Sequence, residues 1–357
     1  MSMPKTMKAL VAYDKDNYRL ESAYPAPQCG PDDIIIKTEG CGICAGDLKC
    51  SHGAAMFWGD GMQSAWVKPP FIPGHEFVGI IAETGNNVKG FKEGDRVVAD
   101  QIIPCGECRF CATGRYWMCQ PHNIFGFQSG NNGGMAEYVR LPKGSIVHKV
   151  SKNMPLTDAL LIEPYGCSKH CVDRAQIQCD DIVVISGAGT LGLGMITYAR
   201  LKNPARLIVL DMADNRLEKA KEFGADLTMN PGKEDALAKV MELTGGYGCD
   251  IYIEATGNPA SVIQGMSMIR KLGRFVEFSV FGAPTTLDWS IIGDRKELDV
   301  LGSHLSPYCF PYVIEKIGDG TLKTTGMVSS TFPIDEWQKA FEYATGKFGD
   351  FKVAITF

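Results

Sequence analysis

Asp181-Ile-Val-Val-Ile-Ser-Gly-Ala-Gly-Thr-Leu-Gly192, followed by Leu193-Gly-Met-Ile-Thr-Tyr-Ala-Arg200 and Arg206-Leu-Ile-Val-Leu-Asp211, decides the fold. Asp181–Ser186 is a short, almost continuous apolar run, the pattern of a strand buried on both faces. Gly187, Gly189 and Gly192 then stand as G-x-G-x-x-G, and a helix-length stretch runs on to Arg200. In such a turn the first Gly makes the bend. The second lets the backbone approach a pyrophosphate, and the third lets helix and strand pack closely. Thr190 and Leu191 open the helix, whose N-terminus would face the anion. Asp211 ends the next apolar run, 19 residues after Gly192. A carboxylate at that distance accepts hydrogen bonds from the adenine ribose and repels a 2′-phosphate, so the stretch predicts a dinucleotide site that takes NAD. Arg216, five residues after Asp211, is a further candidate on the adenosine side.

Outward from this stretch the alternation continues. Asn215–Phe223 is amphipathic, and Asp250–Glu254 and Arg274–Phe278 are further apolar runs. Strands alternating with helices predict a doubly wound parallel sheet. Before it, from Met7 to Val150, the runs are short and β-like: Asp33–Lys37, Val78–Ala82 and Arg96–Ala99, punctuated by Gly, Pro, Asn and Asp. The chain ends in a helix-like Trp337–Thr345 and a β-like Phe351–Thr356.

The 357 residues are enough for roughly two domains, each with its own core. Apolar residues make up 45% and charged residues 22%, an ordinary globular balance that excludes disordered, collagen-like and coiled-coil chains. A net charge of −5 gives no global attraction to nucleic acid or to an anionic membrane. Met1–Leu10 has no leader pattern, and no run of about 18 apolar residues occurs. Thirteen cysteines, an odd number, cannot all close into disulfides. With no leader pattern, they predict a cytoplasmic protein in which clustered Cys bind metal.

Cys105, Cys108, Cys111 and Cys119 form C-x2-C-x2-C-x7-C. Four thiolates from one tight loop fill a tetrahedral zinc site and leave no open position, so this metal is expected to be structural. The segment carries Arg109 and Arg115 against Glu107, with no basic stripe, which disfavours a nucleic-acid module. A second set of metal-binding types is spread along the chain: Cys44 in Gly40–Asp47, His75-Glu76 and Glu163-Pro164. Cys, His and carboxylate suit zinc, and three protein ligands would leave a fourth position open.

In this order the motifs resemble the zinc-dependent medium-chain dehydrogenase/reductase family over nearly the whole chain. The carrying residues are Gly42–Asp47, Gly74–Glu76, Gly94–Val97, the four-cysteine loop, Glu163-Pro164 and Gly187–Gly192. Glu163 in place of a Cys resembles the sorbitol dehydrogenase-like branch. Asp47–Asp60, Gln120–His122 and Leu301–Cys309 are similar to erythritol/threitol dehydrogenases of that branch. The resemblance implies a mainly β, GroES-like catalytic domain, residues 1–155 and 300–357. A Rossmann domain, residues 156–299, would be inserted in it, with the active site in the cleft. Cys44, His75 and Glu163 would bind the catalytic zinc, with Glu76 a direct or exchanging ligand, giving two zinc ions per chain. The implied activity is zinc- and NAD-dependent oxidation of a secondary hydroxyl of a small polyol to the ketose. The alternatives are a dehydrogenase for sorbitol, L-threonine or a simple alcohol, and a non-catalytic protein on the same scaffold. A homodimer or homotetramer is also implied.

The chain departs from the family at the proton relay. Gly46 stands where Ser or Thr is usual, and Lys49 where a relay His often stands. Lys49 and His52 are the nearby polar side chains. A water or a second substrate hydroxyl is the other route. Phe57, Trp58, Trp66 and Tyr308 are candidate pocket walls, and Met56–Pro70 reads as a lid or subunit contact.

Overall fold

The structure, a computed structural model, describes residues 3–357; Met1 and Ser2, which belong to the stretch read for a leader pattern and to the expected first domain, lie outside it. The strands in chain order begin with β1 (Thr6–Asp14), β2 (Asn17–Pro25), β3 (Ile34–Gly42), β4 (Glu76–Thr84), β5 (Arg96–Ala99) and β6 (Ile102–Ile103). Next come β7 (Asn123–Ile124), β8 (Tyr138–Leu141) and β9 (Val147–Lys149). Then follow β10 (Ile182–Ser186), β11 (Arg206–Leu210), β12 (Leu227–Met229), β13 (Cys249–Glu254), β14 (Ile269–Glu277) and β15 (Asp299–Gly302). The last are β16 (Val328–Pro333) and β17 (Lys352–Thr356).

The chain divides into two compact units, Met1–Glu163 with Phe310–Phe357, and Pro164–Cys309. In the first, a sheet runs β16-β17-β3-β4-β5-β9, with β8 also paired to β3. β3 and β4 are antiparallel, and their register sets Gly42 opposite Glu76. β17 pairs with the same end of β3, placing Ala354 opposite Gly42. Glu76 and the last strand are thereby fixed at one place, though 276 residues separate Glu76 from Lys352. The buried guanidinium of Arg96 ties this sheet to the loop after β9. It bonds Glu39 at 2.6 Å and the carbonyls of Ser151 and Met154 at 3.2 and 2.5 Å.

In the second unit six parallel strands run β12-β11-β10-β13-β14-β15, the doubly wound order. Helices Thr190–Leu201, Asp214–Phe223, Ala236–Leu243 and Pro259–Met268 alternate with the strands. Val184, Ile208, Leu210, Tyr252, Val262, Met266 and Phe275 belong to one buried cluster. The expected limits at 155/156 and 299/300 differ from these units. β15 extends the sheet through Gly302, which pairs with Glu277, so this unit reaches Cys309. Residues 156–163 group with the first unit. Among the described residues no helix is long and apolar enough to cross a membrane.

Candidate metal and dinucleotide sites

Cys44 caps the helix Ala45–Ser51. Its sulfur accepts from the Gly46 amide at 3.4 Å, and its own amide donates to Asp47 Oδ2 at 2.9 Å. This reciprocal cap uses a thiol where Ser or Thr usually serves, and it fixes the direction of the sulfur. His75 follows Gly74, whose φ of +95° lets the turn pass close to Cys41 and Met135. Glu76 begins β4 and is 3% exposed. One ligand atom each of Cys44, His75 and Glu76 comes within 4.8 Å of the others.

The surroundings of this triad are polar and buried. Asp47 Oδ1 lies 3.7 Å from His75 Nδ1, and neither atom has a hydrogen-bond partner. A carboxylate behind an imidazole is the arrangement that orients a metal-binding histidine. Burial alone would lower the pKa of His75; the carboxylates of Asp47 and Glu163 and the Cys44 sulfur hold it well above the usual imidazole range. The anionic field thus favours a positive charge at this point. Sulfur, nitrogen and carboxylate donors together fit zinc.

Lys352 is a component that the sequence reading missed. It is 3% exposed, forms an ion pair with Glu76 Oε2 and donates to the Ile43 carbonyl at 2.9 Å. Burial would lower its pKa, but Glu76, Cys44 and Glu163 hold it above the ordinary lysine value. Gly42 makes the pair possible: a Cβ there would collide with Glu76 Oε2 and with Lys352 Cε. The available signal was a lone Lys in the apolar strand Lys352-Val-Ala-Ile-Thr356. Glu163 lies outside the converging triad. It stands in the first turn of the helix Ile162–Ala175, and its Oε1 accepts from Gln101 Nε2 at 2.6 Å. Gln101, 1% exposed, was also missed.

Gly46 borders the triad with room to spare. A Cβ there would meet Cys44 Sγ at 3.7 Å and Phe57 Cζ at 3.9 Å, ordinary contacts. Phe57 stacks on Phe127 at 5.3 Å, Trp66 lies 5.1 Å from Phe127, and Phe127 lies 5.4 Å from the His75 ring. Two of the expected wall residues, Phe57 and Trp66, therefore join an aromatic group that reaches His75. Trp58 instead spends its indole N–H on the Cys50 carbonyl at 2.7 Å. Tyr308 belongs to the other unit and is 66% exposed. His52 is a surface residue, 3.7 Å from Asp16 with both side chains about 70% exposed.

The sulfurs of Cys105, Cys108, Cys111 and Cys119 converge within 4.8 Å. Backbone amides point at them: Cys105 N to Cys119 Sγ at 3.3 Å, Cys108 N to Cys105 Sγ at 3.3 Å, and Gln120 N to Cys108 Sγ at 3.5 Å. The amides of Gln120 and Cys111 push the Cys108 thiol down to about 6, while burial pushes Cys111 up to about 12. Such a loop of inward thiols and amides fits a closed four-thiolate zinc site. Tyr116 anchors it, donating to Asp100 Oδ2 at 2.7 Å.

In the second unit Gly187 has φ +105°, and a Cβ on Gly192 would strike the Gly187 carbonyl. Nothing lies within 4 Å of a Cβ placed on Gly189, the N-cap of the helix Thr190–Leu201. This open cradle at a helix N-terminus fits a pyrophosphate. Asp211 Oδ2 accepts from the Ala188 amide at 2.8 Å and Oδ1 from the Ala213 amide at 2.9 Å. Arg216, half-buried, is in the first turn of the helix Asp214–Phe223.

The alcohol dehydrogenase GroES-like domain model matches residues 30–152, and the zinc-binding dehydrogenase model matches residues 190–319. The chain is 49% identical to an erythritol/L-threitol dehydrogenase of Mycolicibacterium smegmatis, over 97% of this chain and 96% of that protein. It is 30% identical to a sorbitol dehydrogenase of Bacillus subtilis, over 96% of this chain and 95% of that protein. A solved structure from Sinorhizobium meliloti 1021, described as a zinc-binding dehydrogenase bound to NADP, superposes with a TM-score of 0.89 at 28% identity, covering 99% of this chain and all (100%) of that one.

Proposed function

Since this chain belongs to the zinc-binding dehydrogenase family and carries its alcohol dehydrogenase GroES-like domain, we propose that it oxidises a secondary hydroxyl of a small polyol, of the erythritol or threitol kind, to the ketose with zinc and NAD. The observation that carries the reading is the convergence of Cys44, His75 and Glu76, backed by Asp47 and Lys352. When bound, zinc would supply Lewis acidity to a substrate hydroxyl, and the dinucleotide would supply the hydride-accepting ring.

The chain's own residues do the rest. Cys44, His75 and Glu163 hold the metal, with Glu76 a direct or exchanging ligand, so that one position stays open. Asp47 orients the imidazole. Lys352 balances the buried charge of Glu76, and Gln101 fixes Glu163. Gly46 leaves space where a side chain would otherwise crowd a second substrate hydroxyl. Cys105, Cys108, Cys111 and Cys119 hold a second, structural zinc. Gly187, Gly189, Thr190, Leu191 and Gly192 cradle the pyrophosphate, and Arg216 adds a contact on the adenosine side. Asp211, held by two amides, takes the ribose hydroxyls and disfavours a 2′-phosphate.

Thirteen cysteines, an odd number with four clustered in metal-binding spacing, favour a reducing, cytoplasmic setting. The family supports a homodimer or homotetramer, which light scattering after gel filtration would distinguish.

The substrate class is tested by comparing kcat/KM for erythritol and both threitols with that for 1-butanol and 2-butanol, under NAD. A site built to pair a hydroxyl rejects an analogue lacking it by about 10⁴. The polyols are expected to win by a factor of that order. Equal values for the butanols would refute the polyol reading and leave the dehydrogenase assignment in place.

A further inference from the structure

Two carboxyl groups end neighbouring strands in the half of the parallel sheet that the glycine turn and Asp211 do not use. The turn follows β10 and Asp211 follows β11, on the β10–β12 side of the sheet. On the other side the register runs Ser186, Glu254, Glu277 and Gly302, one after another across β10, β13, β14 and β15. In a doubly wound sheet of this order each half takes one mononucleotide, beyond the carboxyl ends of its strands. With the adenosine on the Asp211 half, the nicotinamide belongs at the ends of β13–β15. This placement rests on the dinucleotide reading above.

The two carboxyls differ. Glu254 is fully buried and satisfied, accepting from the amides of Thr256 at 2.9 Å and Gly257 at 3.2 Å and from the Thr256 hydroxyl. It caps its own turn. Glu277 is half-buried, and its Oε1 is buried with no partner. Two residues before it, Phe275 stacks on Tyr252 at 5.5 Å in the core. Strand alternation sends Glu277 to the same face, one step nearer the ligand end. A buried, unpaired acceptor is costly unless something pairs with it.

We propose that Glu277 is a specificity-determining residue for the redox form of the nicotinamide: its carboxylate, with Glu254 beside it, favours the cationic oxidised ring over the neutral reduced ring. The groups around it agree with that role. Glu254 is its register partner on β13, and both carboxylates act through space on the buried Cys171 thiol of the helix Ile162–Ala175. Cys171 stays a neutral thiol, because burial and the two carboxylates raise its pKa against the lowering by Arg174. Two residues on, past the end of its strand, the Ser279 amide favours the charged form of Glu277. Burial and Glu254 push the Glu277 carboxyl up to about 7. Its charge therefore develops across neutral pH. Binding of oxidised NAD draws it toward the carboxylate and releases its proton to buffer, whereas binding of NADH does not.

The test measures dissociation constants of NAD, NADH and ADP-ribose for the full-length, zinc-loaded protein at pH 6 and pH 8. For the wild type, the preference for NAD over NADH rises from pH 6 to pH 8. In Glu277→Gln that preference falls about three- to tenfold at pH 8, the size expected of a partly solvated charge pair. ADP-ribose, which lacks the ring, binds both proteins equally. Glu277→Asp keeps the charge and retains most of the preference. Glu277→Met is the second neutral variant and loses it as Gln does, which keeps the result readable if one variant fails to fold. A preference unchanged in the neutral variants, or NAD and NADH weakened alike, overturns the inference while ADP-ribose binding upholds the dinucleotide site. Failure of the wild type to bind ADP-ribose overturns both.

Discussion

Asp211 is fixed at its strand end by the amides of Ala188 and Ala213, so its negative charge cannot swing away from an incoming 2′-phosphate. Asp211→Ser should remove the repulsion and the ribose acceptor together. The expected outcome is a preference for NAD over NADP, in kcat/KM, that falls by about tenfold or more, since each tenfold step corresponds to roughly 1.4 kcal/mol. A wild-type preference for NADP would sink the role given to Asp211. Lys352 shows the other kind of residue, one whose effect passes through a neighbour. Lys352→Met would leave the Glu76 carboxylate buried without its partner, which costs about 3–5 kcal/mol. A bound metal offsets part of that loss. The drop in stability, measured by urea unfolding, should therefore be larger after chelator treatment than with zinc present. Equal drops would mean that Glu76 does not sense the metal. The position of Asp211 just past the end of β11 was legible from the sequence. Lys352 was not, because its partner lies 276 residues away and no local spacing records that contact.

Among the elements, those of the parallel sheet were the easiest to read. Strands buried on both faces are continuous apolar runs, and Asp181–Ser186, Arg206–Leu210 and Asp250–Glu254 match β10, β11 and β13 to within a residue at either end. The order of the other sheet was not legible, because β3 pairs with β4, β8 and β17, and β17 comes from the far end of the chain. Local pattern gives strands there, not neighbours. The four-cysteine loop is different again, since spacing alone brings its ligands together. Its regular structure is slight: a single helical turn, Arg109–Ala112, and the short Tyr116–Met118 turn, anchored by Tyr116 on Asp100. With so little packing, a bound zinc would supply much of the loop's stability. Cys108→Ser should lower thermal stability and soluble yield, and the protein that remains folded should keep most of its specific activity. Differential scanning calorimetry and zinc analysis check this, the latter falling from about two zinc per chain to about one. A variant as stable as wild type but inactive would exchange the roles of the two metal sites.

Across the whole molecule, the groups assigned to the metal and those assigned to the dinucleotide fall in different compact units. Cys44, His75, Glu76, Glu163 and Lys352 belong to Met1–Glu163 with Phe310–Phe357, while Gly187–Gly192, Asp211 and Glu277 belong to Pro164–Cys309. Sites that share no partner residues are perturbed independently, to within about 0.5 kcal/mol. Loss of a catalytic-zinc ligand should therefore separate two functions that one assay of turnover would merge. Cys44→Ser and His75→Ala are each expected to reduce polyol oxidation to background. The dissociation constant for ADP-ribose, which needs only the glycine turn and Asp211, should stay within about twofold of wild type, the factor to which that independence corresponds. Lys352→Met, which leaves every proposed ligand in place, should fall between these variants and wild type in turnover and leave ADP-ribose binding unchanged. Isothermal titration of ADP-ribose into the three variants, set beside their NADH production from erythritol, measures both. A tenfold loss of ADP-ribose affinity in Cys44→Ser would show that the units are energetically coupled. The cap that Cys44 forms with Asp47 would then be part of what the cofactor site depends on.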